Sequence, residues 1–301
     1  MKGGIIHTPY DGSSKPFTIG LASLDLKDWI EVDENLISYL DEKLNLYKAL
    51  PDKVLVADEG TEDAQGEVLC LLADHLPKRF PDFYQLHDKS MTIAGQRHVG
   101  IEPSSNDIAT AGLLVQEDLV LMRKSPAGWR LAAASVCFPS AWDLVEKFKK
   151  PLGEIHGHVP GFASGTRNDS IIERMFDNLS PERLVIRWNW SLNDTDKLFL
   201  PLSKHREKRR FGEGATIADR VFIRLERQTF RKLPKSGDVL FTIRTHVNPL
   251  DWLERRPDGA ALAFSLEQIL MNMTLDEAKY KGIANERERL SARLRMIAAQ
   301  A

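Results

Sequence analysis

The chain has 301 residues, 41 Lys+Arg against 43 Asp+Glu, 43% hydrophobic residues and 2 cysteines, the composition of a globular protein with one large or two modest domains. Cys70 and Cys137 cannot build a disulfide scaffold, a four-cysteine zinc site or a four-cysteine iron–sulfur centre, and a net charge of −2 supplies no field for nucleic acid or anionic lipid. No run of about 18 apolar residues and no apolar h-region near Met1 is present, so a cytoplasmic protein with neither membrane span nor signal peptide is expected.

The first 35 residues are punctuated by Gly, Pro and Ser, and 36-LISYLDEKLNLYKAL-50 then places apolar residues at helical spacing up to Pro51. A second helix is expected over 63-DAQGEVLCLLADHLPKRF-80, with Val68, Leu69, Leu71, Leu72 and Leu76 as its apolar face, Cys70 in the core, and Pro77 and Pro81 as breakers. From residue 113 the pattern becomes extended: 113-LLVQEDLVLMR-123 and 129-WRLAAASVCF-138 flank the turn 124-KSPAG-128 and read as a hairpin. Helices follow over 140-SAWDLVEKF-148, with Ser140 as N-cap, and over 168-NDSIIERMFDNL-179. Three more strands come next, 183-RLVIRWNWS-191, 219-DRVFIRLERQTFRKL-233 and 238-DVLFTIRTHV-247. The chain closes with 259-GAALAFSLEQILMNM-273 and one charged helical tail through 275-LDEAKYKGIANERERLSARLRMI-297.

This order predicts an α+β fold with a PAS-like five-stranded antiparallel core over 111–250 and its helices on one face. An N-terminal helical extension over 1–110 and a C-terminal one over 251–301 flank it.

Several chemistries are missing. There is no phosphate-binding P-loop, no G-x-G-x-x-G turn, no H-E-x-x-H, no C-x-x-C and no G-x-S-x-G. The glycine pair 212-GEG-214 lacks a third glycine, and the basic run 204-KHREKRR-210 before it reads as a solvated loop or a dock for an acidic redox partner.

The residues that could carry chemistry lie in the loop between the middle helices and on the later strands. The segment 155-IHGHVPG-161 holds two histidines before a Pro-Gly break; each imidazole either fills the loop or ligates a metal or haem iron. Lying two positions apart, His156 and His158 point opposite ways in an extended stretch. Arg227 continues the parity of Val221, Ile223 and Leu225, which puts a guanidinium on the apolar inner side of the sheet. Its partner is a carboxylate such as Glu226 or Glu117, a haem propionate, or bound substrate and oxygen, although Glu226 has the opposite parity. Trp188 and Trp190 share the parity of Leu184 and Ile186 and read as core, whereas Asn189 faces the other way with Arg187. In the last strand Val239, Phe241 and Ile243 form one face; Thr242, Arg244 and His246 form the other, expected to meet solvent or a second subunit. Cys137 reads as a core thiol, with thiolate ligation of haem as the alternative.

Five blocks, 28-DWIEVD-33, 115-VQEDLVLM-122, 136-VCFPSAWDLVEKFKKPLGEIHGHVPGF-162, 187-RWNW-190 and 226-ERQTFRKLPKSGDVLFTIRTHVNPL-250, resemble in order the α subunit of the haem-dependent oxidative N-demethylases, an enzymatic haem-binding PAS domain. The resemblance implies haem b in this chain and oxidative removal of a methyl group from a small secondary amine such as dimethylamine. O₂ and NADPH-derived electrons would be consumed, giving a primary amine and formaldehyde. It also implies FMN, a 2Fe–2S cluster and tetrahydrofolate on reductase and folate-binding partner subunits. His156 becomes the iron ligand; His158, which stands where relatives carry Pro, and Arg244 join it as haem-contacting candidates. Arg227, with Glu226 and Asn189, is the candidate for orienting oxygen and amine. A haem PAS module that senses a gas, and a haemless PAS-like protein, are the competing readings.

Overall fold

A computed structural model describes residues 7–13, 16–102, 104, 107–201 and 221–300. The basic run 204-KHREKRR-210 and the 212-GEG-214 pair lie outside the described residues. The strands are β1 (Ala22–Leu24), β2 (Leu55–Ala57), β3 (Tyr84–Leu86), β4 (Ser90–Ile93), β5 (Arg97–Gly100), β6 (Asp118–Ser125), β7 (Gly128–Ser135), β8 (Leu184–Asn193), β9 (Phe222–Lys232) and β10 (Val239–Pro249). The helices are α1 (Leu36–Ala49), α2 (Pro51–Val54), α3 (Glu62–Arg79), α4 (Asp107–Gly112), α5 (Leu144–Lys147), α6 (Leu152–Ile155), α7 (Arg167–Asn178), α8 (Gly259–Asn272), α9 (Leu275–Lys281) and α10 (Arg287–Ala298).

The five expected strands, β6 to β10, lie side by side in the order β8-β9-β10-β6-β7. The main sheet nevertheless has seven strands, because β1 adds to β8 and β2 adds to β7, both antiparallel. Each added strand is three residues long, too short to display alternation. The stretch before residue 111 is therefore more than helical: it edges the main sheet and builds a second, three-stranded sheet from β3, β4 and β5.

Helices cover both faces of the sheet, not one. Alternation sends Leu119, Leu121, Ala133, Leu184 and Leu240 to a first face, packed under Leu36 and Leu40 of α1 and Val68, Leu72 and Leu76 of α3. On the same face Trp190, Leu192, Ile223 and Leu225 meet Leu262 and Leu266 of α8 and Leu290 and Leu294 of α10. Val120, Ala134 and Phe230 point to the second face, under Leu152 of α6 and Ile172 and Phe176 of α7. Each fully buried Leu or Val contributes about 1.5–3 kcal/mol, and strands apolar on both parities are buried on both sides.

Local differences have local causes. Pro77 sits in the last turn of α3, where its missing N–H interrupts the helix only near its end, so the helix continues to Arg79. Cys70 is exposed, on the side of α3 away from the Val68, Leu69 and Leu72 face. The helix expected from Ser140 shrinks to α5, capped by Asp143, whose carboxylate accepts the Val145 N–H at 2.8 Å. Ser140 instead bridges Leu200.

Candidate active site

The loop carrying the two histidines is fixed by apolar anchors on either side. Leu152 and Phe162 are buried against the second face of the sheet, with Ile155 and Val159 packed beside them and Phe230 and Phe241 beneath. His156 ends α6 at its C-cap position, with its ring 6.4 Å from that of Phe162. Burial, reinforced by the charges of Arg187 and Lys147, lowers its pKa to about 4, so the imidazole is neutral. Its ring nitrogens make no hydrogen bond among the described residues. His158 is exposed.

The sheet answers this loop with a polar patch. Cross-strand register pairs Asn189 with Glu226 and Arg187 with Gln228, so all four project to the second face. Glu226 Oε2 accepts Asn189 Nδ2 at 3.1 Å and Gln228 Nε2 at 2.8 Å. Asn189 Oδ1 in turn accepts Lys281 Nζ at 3.1 Å, so the end of α9 fixes the amide. Arg187 is electrostatically placed between His156 and Glu226. Its Nε is buried with no hydrogen-bond partner among the described residues, and burial draws the guanidinium pKa down while Glu226 draws it up. Burial, followed by the charge of Glu226, pushes the neighbouring Tyr280 phenol up to about 12, keeping it protonated.

β1 stops pairing at Ile186, and beyond it no strand among the described residues adds to this edge of β8. A cleft of about 360 Å³ runs along this edge, lined among others by His7, Phe17, Arg187, Trp188, Asn189 and Lys281.

The structure thus gathers His156, Asn189 and Glu226 on one face and leaves Arg227 and Arg244 on the other. Arg227 is paired through Nε with Glu31 at 3.0 Å and donates to the carbonyls of Asp28 and Trp29. Its carboxylate partner is therefore neither Glu226 nor Glu117. Glu117 is buried, accepts the Glu31 N–H at 3.0 Å and has its pKa raised by burial. Arg244, expected to meet solvent or a second subunit, is instead buried, bonded to Asp33 at 2.6 Å and lying 4.5 Å over the Tyr39 ring. The segment around Asp33 and helix α1 covers this face, a layer that strand parity cannot reveal. Cys137 is buried beside Val54 and Phe138, away from the His156 loop, and burial followed by the charge of Asp118 pushes its thiol up.

Arg187, Gln228 and Lys281 are the members that sequence reasoning passed over. For Arg187 and Gln228 the available signal was parity, since each lies two positions from a residue already singled out. Lys281 carried no such signal, being 92 residues from Asn189.

A family model described as haem-dependent oxidative N-demethylase, alpha subunit-like, matches residues 20–291, and the chain belongs to that family. Haem asks for an axial nitrogen, an apolar wall and a cation for its propionates. The neutral imidazole of His156, the apolar cluster of Phe162, Phe230 and Phe241 beside it, and the buried Nε of Arg187, the two nitrogen-bearing groups lacking hydrogen-bond partners there among the described residues, fit those three demands.

Proposed function

We propose that this family member is a haem b-dependent oxidative N-demethylase acting on a small secondary amine of the dimethylamine type. The observation that carries the reading is the meeting, at the second sheet face, of a neutral imidazole with no hydrogen bond among the described residues, a guanidinium whose buried Nε has no partner among them, and a carboxylate held by two amides. The balanced reaction takes one amine, one O₂, two electrons and two protons to a primary amine, formaldehyde and water. One N–CH₃ carbon is oxidised and its C–N bond breaks, while O₂ is reduced.

His156 would hold the iron and Arg187 a propionate; bound there, haem supplies the one-electron and dioxygen chemistry that amino-acid side chains lack. The remaining work belongs to the chain. Glu226 offers a carboxylate to the N–H of the amine, and Asn189 and Gln228 fix its Oε2 so that its other oxygen faces the ligand. The same carboxylate can take up the proton that the ammonium form of the substrate must lose. Tyr280, neutral beside it, is a second group able to donate a hydrogen bond. The cleft along the β8 edge offers a small amine a route from solvent. The contiguous order β8-β9-β10-β6-β7 supports a PAS-like core within the larger sheet. Two cysteines cannot hold a four-thiolate cluster, which supports a 2Fe–2S cluster on a reductase partner subunit; FMN and tetrahydrofolate are placed on the reductase and folate-binding partner subunits by the family reading alone.

The test is the optical spectrum of protein expressed with haem precursor, followed through a dimethylamine titration and then assayed for formaldehyde under reduction in air. A Soret band that shifts with amine, together with formaldehyde release, is expected. His156→Ala should lose stoichiometric haem and His158→Ala should keep it. Full haem occupancy in His156→Ala would remove the ligand assignment, and a Soret band indifferent to amines with no formaldehyde would favour a gas-sensing module.

A further inference from the structure

We propose that His7, Glu31 and His246 form a binding site for a divalent transition-metal ion of the zinc class, on the sheet face opposite His156. The three residues come from the N-terminal segment, the loop before α1 and strand β10, and one ligand atom from each lies within 4.8 Å of the other two. His7 Nε2 is 2.7 Å from Glu31 Oε1, and His246 Nε2 is 3.2 Å from Oε2 of the same carboxylate. A tetrahedral ion with bonds of about 2.0–2.1 Å sets its ligands roughly 3.3 Å apart, so modest side-chain rotations accommodate it. Two imidazoles and one carboxylate select a borderline ion such as zinc over magnesium or calcium, which require oxygen ligands.

The groups around the cluster hold it in place. The Glu31 backbone N–H is anchored by Glu117, and its Oε1 is braced by Arg227 at 3.0 Å. Arg227 is itself fixed by the Asp28 and Trp29 carbonyls. His7 is oriented by Trp188, whose ring centroid is 4.2 Å away. Ligating groups supported in this way are what a metal centre needs. An entry path exists too, because His7 and Trp188 line the open cleft beside β8. Three protein ligands leave a fourth position for water or a small ligand. The charge of Arg227 makes the site weaker than a closed four-ligand one, so affinity is the quantity to measure.

The experiment is equilibrium dialysis of the haem-loaded protein against a zinc series, with zinc and iron counted separately by elemental mass spectrometry. About one zinc per chain is expected on top of an unchanged iron content. His7→Ala and His246→Ala should each weaken zinc binding at least about tenfold, with circular dichroism confirming an intact fold. His7 lies outside the sheet, so its removal tests the site without disturbing strand pairing. No zinc bound by the wild-type protein, or an affinity left unchanged by His7→Ala, overturns the proposal.

Discussion

At the scale of single residues, neighbours in sequence serve different ends when they sit on a strand. Glu226 and Arg227 are adjacent on β9 and face opposite layers, one toward the His156 loop and the other into a pair with Glu31. Removing one member of a buried pair strands the other, at about 3–5 kcal/mol. Arg227→Ala should therefore lower the urea unfolding midpoint by that equivalent while the folded fraction keeps its full Soret absorbance. Glu226→Gln should do the reverse: stability within about 1 kcal/mol of wild type, and an amine-induced Soret shift that needs at least about tenfold more amine, from loss of a charge-assisted hydrogen bond. If Arg227→Ala abolished the amine response without destabilising, the assignment of the two faces would be wrong. Parity separated the two residues correctly, but which layer covers each face was not legible. The groups that occupy Arg227 and Arg244 are set by chain separations such as 198 and 211 residues, which no local pattern encodes.

At the scale of elements, the long strands and the strongly periodic helices were legible because side-chain alternation repeats along them. The pairs α1 and α3, and β7 to β10, fall close to where spacing placed them, whereas β6 begins at Asp118, five residues after the start of the apolar run that announced it. What escaped notice was short or interrupted: the three-residue edge strands, the early end of the helix expected from Ser140, which spans only four residues, and the break in the C-terminal tail. That break did have a signal. Gly282 takes φ 72°, the left-handed conformation that ends a helix, and its N–H reaches the carbonyls of Ala278 and Lys279. At the other end of α9 the Thr274 hydroxyl accepts the Glu277 N–H, and the Glu277 carboxylate accepts the Thr274 N–H at 2.8 Å, a reciprocal capping box. Gly282→Ala and Thr274→Ala should each cost about 1 kcal/mol in chemical denaturation. Because Lys281 anchors Asn189, loosening α9 should also weaken the amine response, whereas an equal destabilisation placed in α3 should not.

At the scale of the whole molecule, the sequence showed a layered α+β protein but missed that both faces of its sheet are covered. The clue was present in β6 and β7, where Leu119 through Met122 and Leu131 through Val136 are apolar, or small and buried, on both parities, the mark of a sheet sandwiched between layers. The helical layer of α1 and α3 over the first face also holds half-buried titratable groups, and His75 is one of them. It lies on α3 with its ring 5.2 Å from Trp29 and 6.5 Å from Phe80, and its buried Nε2 has no hydrogen-bond partner among the described residues. Burial, then the charges of Arg231 and Arg79, lower its pKa to about 4. The unfolded chain takes up a proton near pH 6.5, whereas the folded chain resists until about pH 4. The folded state therefore keeps its full margin above pH 6.5 and loses it progressively as the pH falls toward 4. Replacing His75 with Phe keeps an aromatic ring against Trp29 and deletes the titration. The urea midpoint of His75→Phe should fall less than that of the wild type between about pH 7 and about pH 4.5; an equal fall in both would show that His75 is not protonated against a buried environment.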